Sequence, residues 1–192
     1  MACLESLTTG FNPTCAALKK VAGFANFGYI GTISDLASVS YAVTGVDALT
    51  FDSSKVLVKF ITKERQVTAE SPINDRGEGN FTTITHTVEL PIYFNTQAEI
   101  DLINGLLDKD RLYVILPTAS KEFRVYGLAN TGQDFENFGL KVSGGADAAG
   151  KELQDQSRIN LTLTGEMLTL PIYFFDTDYA TTLALLEGYL TS

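Results

Sequence analysis

The residues in this chain that could carry chemistry are few, and each fails a specific requirement of the reaction it suggests. Gly145-Ala-Asp-Ala-Ala-Gly150-Lys151 satisfies the GxxxxGK spacing of a phosphate-cradling loop. Such a loop needs a hydroxyl at the next position to hold magnesium, and this one has Glu152. Asp147 would also place a carboxylate where phosphate should sit, and no alternating βαβ pattern surrounds the motif. The segment Ser143 to Gly150 is instead expected to be a Gly/Ala-rich loop between two strands. His86 is the sole histidine, set among threonines, and no serine has the GxSxG elbow of a hydrolytic triad, so a histidine on a strand surface is expected. Asp108/Asp110 and Asp176/Asp178 lack the spaced oxygen ligands of a calcium loop. Asp176 and Asp178 suit a helix start, where a carboxylate meets the positive end of the helix dipole. Cys3 and Cys15 have neither a nearby histidine nor a second pair to complete a zinc site; buried thiols are expected, with a disulfide or shared metal as the sharper alternative. No catalytic, cofactor-binding or metal-binding residue is assigned, and the chain reads as non-enzymatic.

Composition narrows the function classes further. The 192 residues suffice for one substantial domain, or for two small halves sharing a core. With 23 acidic against 14 basic residues the net charge is −9, which argues against a general nucleic-acid binder, because such binding depends on Lys and Arg displacing phosphate counterions. The same acidity suits a surface past which a polyanion must slide without sticking. No apolar run reaches the roughly 18–20 residues of a membrane span; the longest, Leu168 to Phe175, has strand length and contains Pro171. Glu5, Asn12 and Pro13 interrupt any export signal, so cytoplasmic synthesis without membrane association is expected. The sequons at Asn80 and Asn160 then read as strand starts rather than glycan sites.

Residues 1–35 mix small, Gly and aromatic residues, including Phe24, Phe27 and Tyr29, with no sustained period, and read as an N-terminal arm with short elements. Residues 36–192 read as a single, mainly β domain. Val39–Val46 and Val56–Val67 are β-branched and aromatic-rich, as strands tend to be. The second is apolar on both faces at first and polar on both later, as a strand leaving a core would be. A polar stretch with Pro72, Asp75, Gly77 and Gly79 follows, then a return strand from Phe81 to Phe94, so the pair reads as a long projecting hairpin with a flexible tip. Thr96 and Glu99 are spaced as a capping box for a helix reaching Lys109, with Ala98, Ile100, Leu102, Ile103, Leu106 and Leu107 near helical spacing. Strands are expected at Arg111–Leu116, Glu122–Leu128, Phe135–Val142 and across Arg158–Phe174, with a second helix over Tyr179–Leu190.

The pentapeptide LPIYF occurs at 90–94 and again at 170–174. Aligning residues 80–94 with 160–174 gives seven identities in fifteen positions, and each copy precedes a helix. This opens a division of the domain into two pseudo-repeated halves, about 54–110 and 111–192, each ending in a long strand and then a helix. Pro91 and Pro171, lacking an N–H, would mark equivalent exits from the sheet. A projecting two-stranded ribbon is only marginally stable alone and invites pairing with a neighbouring chain, which points to self-association. The candidate contact residues are Ile73, Asn74, Asp75 and Arg76 at the hairpin tip, Gly144 and Gly145 in the Gly-rich loop, and Phe24 and Phe27 in the arm.

This order of elements over residues 35–192 resembles that of phage tail tube proteins. The resemblance rests on the hairpin Val56–Phe94, the helix Thr96–Lys109 after it, the following strands, and the pattern Gly150-Lys151, Asp155, then Ile159-Asn160-Leu161-Thr162-Leu163-Thr164-Gly165. The opening Met1-Ala2-Cys3, with Cys15, Gly23, Asn26-Phe27 and Gly31, is similar to the start of virion structural proteins from phages of Bacteroidetes-type hosts. The resemblance implies a β-sandwich or barrel of tail-tube type with one or two flanking helices. It also implies homo-oligomeric, hexameric rings stacked into a virion tail, other tail proteins as partners, and a channel through which DNA passes without being bound. The helix Tyr179–Leu190 departs from a minimal tube domain. It leaves room for a head-to-tail connector, tail terminator or capsid decoration protein; a monomeric carbohydrate-binding module is the reading from another class.

Overall fold

Leu112-Tyr-Val-Ile-Leu-Pro117 contains no charged side chain, and a strand of that composition needs cover on both faces. In the computed structural model, which describes residues 23–42, 45–52, 57–62, 66–74, 82–93, 96–129, 137–148 and 158–190, this segment forms β8 (Leu112–Pro117) and is buried throughout. It lies inside a seven-stranded sheet. The order is β2 (Leu36–Ala42), β3 (Gly45–Phe51), β12 (Ile172–Phe174), β9 (Phe123–Tyr126), β8, β1 (Phe27–Thr32), β4 (Val58–Ile61). The pairings are antiparallel except for β12 against β3. A second sheet has the order β10 (Lys141–Ala148), β11 (Arg158–Met167), β7 (Thr83–Tyr93), β5 (Thr68–Glu70), and β6 (Ile73–Asn74) also pairs with β7. The fold is therefore mainly β, two open sheets with two helices, and neither sheet closes into a barrel among the described residues.

Each face of the seven-stranded sheet buries a separate core. On one face Ile30, Phe60, Val114 and Leu116 pack against Val88, Leu90, Leu161 and Leu163 of the five-stranded sheet. Helix α1 (Gln97–Leu107) adds Ile103 and Leu106 to that core. On the other face Tyr29, Tyr113, Ile115, Phe123, Val125 and Phe174 lie beneath Leu186 of helix α2 (Tyr179–Gly188). Each fully buried Leu, Ile or Phe contributes about 1.5–3 kcal/mol, so these two cores dominate the stability.

Helix α2 is fixed by polar contacts at both ends. Asp178 is its N-cap, accepting from the Thr181 N–H at 2.8 Å. The Tyr179 ring stacks on Phe123 at 5.1 Å. Near the other end, the Tyr29 hydroxyl donates to Glu187 at 2.7 Å, and Lys59 reaches the same carboxylate at 2.6 Å. The bond from Lys59, and then that from Tyr29, holds the Glu187 carboxyl below the usual range, while burial and then the Glu187 bond push the Tyr29 phenol up.

The structure corrects four expectations. Residues 27–32, assigned to an arm, form β1, an interior strand paired with β4 and β8, because successive residues such as Tyr29 and Ile30 enter opposite cores. The hairpin Val56–Phe94 is not one projecting ribbon. Leu57 and Phe60 are buried in opposite cores, so β4 belongs to the doubly covered sheet and pairs with β1, and only β5 and β6 pair with β7. Residues 143–148, read as loop, belong to β10, whose Gly145 pairs with Leu161. The two LPIYF copies also differ: β7 continues through Pro91, which pairs with Asn160, whereas Leu170 and Pro171 lie in the crossover to β12 of the other sheet. Beyond Glu89, β5 no longer pairs with β7, so Pro91 sits where its missing N–H is tolerated.

The sheets meet at a corner where backbones approach closely. Leu140, just before β10, exchanges two 2.7 Å hydrogen bonds with Leu112 of β8. A β-carbon on Gly165 of β11 would fall on the Gly139 carbonyl oxygen, whereas one on Gly144 would meet only Thr162, at 3.9 Å. Gly165→Ala is therefore expected to cost about 1–3 kcal/mol or more in denaturant unfolding, and Gly144→Ala to stay within about 0.5 kcal/mol of wild type.

Candidate functional site

Among the described residues the motifs weighed for catalysis are not brought together into one site. Gly145 is tied into the β10–β11 ladder, and Gly150 and Lys151 lie outside the described residues. Asp108 and Asp110 are exposed beyond α1, and Asp178 serves as a helix cap. Among the described residues no group of three His, Cys, Asp or Glu side chains could hold a metal ion. Cys3 and Cys15 lie outside the described residues.

His86 is not on a strand surface. It is fully buried, on the same face of β7 as Ile84, Val88, Leu90 and Ile92. Its Nδ1 accepts from the Gly127 N–H at 3.2 Å, and its Nε2 lies 2.9 Å from the Thr169 carbonyl oxygen. Since Nδ1 accepts, the ring proton is on Nε2 and donates to Thr169. A strict alternation of apolar residues at 84, 88, 90 and 92 contains this information: position 86 completes that series, while Thr83, Thr85, Thr87 and Glu89 form the other face.

The candidate association residues separate into three places. Ile73 and Asn74 form β6, at one edge of the five-stranded sheet, paired with Ile84 and Thr83 of β7. Ile73 is 65% exposed, and Asn74 Nδ2 donates to Thr85 Oγ1 at 2.6 Å. Asp75 and Arg76 lie outside the described residues. Gly144 and Gly145 lie in β10, the opposite edge strand of the same sheet, where residues 143–146 are exposed. Phe24 and Phe27 are anchored within the chain. Phe24 meets Tyr126 edge-on at 6.2 Å, and Lys59 Nζ lies 5.2 Å above the Phe27 ring. Both are half-buried against the cores rather than presented on an arm.

Between those edges the outer face of the five-stranded sheet is polar and rich in hydroxyls. Register places Thr87 opposite Thr164, Glu89 opposite Thr162 and Pro91 opposite Asn160 on it. The acidic residues Glu70, Glu89 and Glu166 share this face with the basic residues Lys141 and Arg158. A cleft of about 290 Å³ opens there, lined by Gln66, Glu89, Pro91, Arg158, Asn160 and Thr162 among others. Its walls are partly self-satisfied: Thr68 Oγ1 donates to Glu89 at 2.8 Å and the Tyr93 hydroxyl to Gln66 at 3.0 Å. No helix among the described residues is long and apolar enough to cross a membrane.

The chain matches no protein-family model, no curated protein and no solved structure.

An edge strand carrying Ser143-Gly-Gly-Ala146 has no bulky or charged side chain over four residues to keep another strand away. Gly144→Lys installs such a charge in open space. It is expected to leave monomer stability within about 0.5 kcal/mol in denaturant unfolding and to shift any self-associated species toward monomer in sedimentation velocity.

Proposed function

We propose that this chain is a self-assembling structural subunit of a long-tailed phage tail tube, stacking as hexameric rings around a channel for DNA. The observation that carries the reading is a single five-stranded sheet with two unlike edges on opposite sides, β10 at one and β5 with β6 at the other. Head-to-tail joining of unlike edges produces a closed ring when the rotation per subunit closes, and a filament when it does not. The hydroxyl-rich outer face fits a channel wall: it offers hydrogen bonding and, among the described residues, no cluster of cations to hold phosphate. The net charge of −9 acts in the same direction. In this reading the partners are further copies and other tail proteins, the location is the virion tail, and the protein catalyses nothing.

Helix α2 covers one face of the seven-stranded sheet, an element that a minimal tube domain does not need. It favours the second reading, a head-to-tail connector or tail terminator, which would form a ring without stacking.

Negative-stain electron microscopy of the purified protein separates the two. Tubes with a regular axial repeat are expected from the first reading, isolated rings from the second, and a protein that stays monomeric at high concentration overturns both. Shortening the β6 edge by removing residues 73–76 is expected to change tube assembly or length; unchanged tubes would exclude that edge from the contacts.

A further inference from the structure

The buried imidazole of His86 joins three parts of the fold that the chain brings together from far apart. The side chain belongs to β7 of the five-stranded sheet. Gly127, whose N–H donates to Nδ1, follows β9 of the seven-stranded sheet, and the acceptor for the Nε2–H, Thr169, lies in the crossover 168–171 between β11 and β12. Tyr126 closes the site, edge-on to the ring at 5.7 Å. Gly127 has φ +83°, and a β-carbon there would meet the Leu112 carbonyl oxygen at 2.7 Å, so the backbone that donates to His86 has little freedom to adjust.

We propose that His86 is an acid-operated latch on the crossover between the two sheets. Neutral, with its proton on Nε2, it fastens β7 to Gly127 and Thr169. A proton taken from solvent at Nδ1 removes the lone pair that Gly127 N–H needs. It leaves that N–H facing a second N–H and sets a cation in the apolar layer between the sheets.

Among the described residues no opposite charge faces the ring, and the Thr169 carbonyl, which favours the protonated form, offsets the burial only in part. From β9, the titratable group against the ring is the Tyr126 phenol, which burial raises above its ordinary pKa, and Arg124 adds a positive charge beside it. From β11, Gly165 stands opposite His86, and Glu166 pairs with Thr85 on the outer face. From the β5 side, Glu70 pairs with Thr87, also on the outer face. On β7 itself Glu89 points outward, and the crossover 168–171 carries no titratable side chain. Burial accordingly lowers the His86 pKa from its ordinary 6.5 to about 4.

Because the folded pKa is the lower one, the stability that neutral His86 supplies is complete above pH 6.5. It is lost progressively as the pH falls toward 4, where the unfolded chain binds the proton and the folded chain resists it. The crossover is the part expected to loosen first, since it carries Leu168 and Leu170, which are 49% and 56% exposed and hold it only weakly by burial. Acid would thus free an apolar segment at one end of the sandwich before the cores themselves open.

As His86 is the only histidine, its ring can be followed in the intact protein without assignment ambiguity. Nitrogen-15 NMR of histidine-labelled protein is expected to show the Nε2–H tautomer still in place at pH 5.5. On further acidification, amide exchange at Gly127, Thr169 and Leu170 is expected to accelerate in step with ring protonation, while Ile115 stays protected. Between pH 7 and pH 5 the wild-type Tm is expected to fall about 4–7 °C. His86→Gln, which can both accept from Gly127 and donate to Thr169 without titrating, should lose most of that fall. A ring that titrates near 6.5 with Gly127 still protected overturns the proposal. So does a Tm that falls equally in wild type and His86→Gln. The NMR titration of the wild-type chain decides the matter even where the variant fails to fold.

Discussion

β8 directs Leu112, Val114 and Leu116 to one side of its sheet and Tyr113 and Ile115 to the other, and none of the five meets solvent. That single strand requires two covering layers, and the remaining elements supply them. The five-stranded sheet and α1 cover one side, and α2 covers the other. Among the described residues the hydroxyl-rich face of the five-stranded sheet is then left to meet water. The division between apolar and polar surfaces thus follows from the composition of a six-residue segment.

Covering β8 on the five-stranded side brings two sheets together whose strands must cross between them, and the crossing points have little space. Gly139, Gly127 and Gly165 lie where a β-carbon would strike backbone. Leu140 bonds to Leu112 across the corner, and His86 spans the gap with its two ring nitrogens. A polar side chain in this layer is stable because both of its nitrogens are satisfied, and an aliphatic residue there would leave the Gly127 N–H and the Thr169 carbonyl without that partner.

Periodicity made much of this legible in the sequence. Helix α1 begins at Gln97, directly after Thr96, whose carbonyl accepts from Ile100 N–H, and helix α2 starts after Asp178 as its acidic N-terminus suggested. The positions of β7 and β11 were also readable. Sheet membership was less so, because pairing depends on which of two layers a face must meet. Leu57, just before β4, and Phe60 within it enter different cores, whereas Val67 before β5 enters only the core between the sheets. The Gly-rich run 143–148 looked like loop because glycine disfavours a strand on average; here the ladder with β11 overrides that preference. His86 was misplaced by its polarity, although its parity with Ile84 and Val88 put it on the core face. The placement of the candidate association residues was the least legible, since an edge exists only once the strand order is known.

The contacts of α2 also bear on how the chain is made. Its Glu187 bonds to Tyr29 across 158 positions of sequence and to Lys59 across 128, and β12 closes onto β3 just before the helix begins. During synthesis the second core therefore lacks the cover of α2 until that helix leaves the ribosome, at roughly 5–20 residues per second. Until then Tyr113, Ile115 and Val125 lack the part of their cover that Leu186 supplies. A chain stopped before α2 would expose that apolar face, so truncation would favour aggregation, and translation timing becomes part of how the second core is protected.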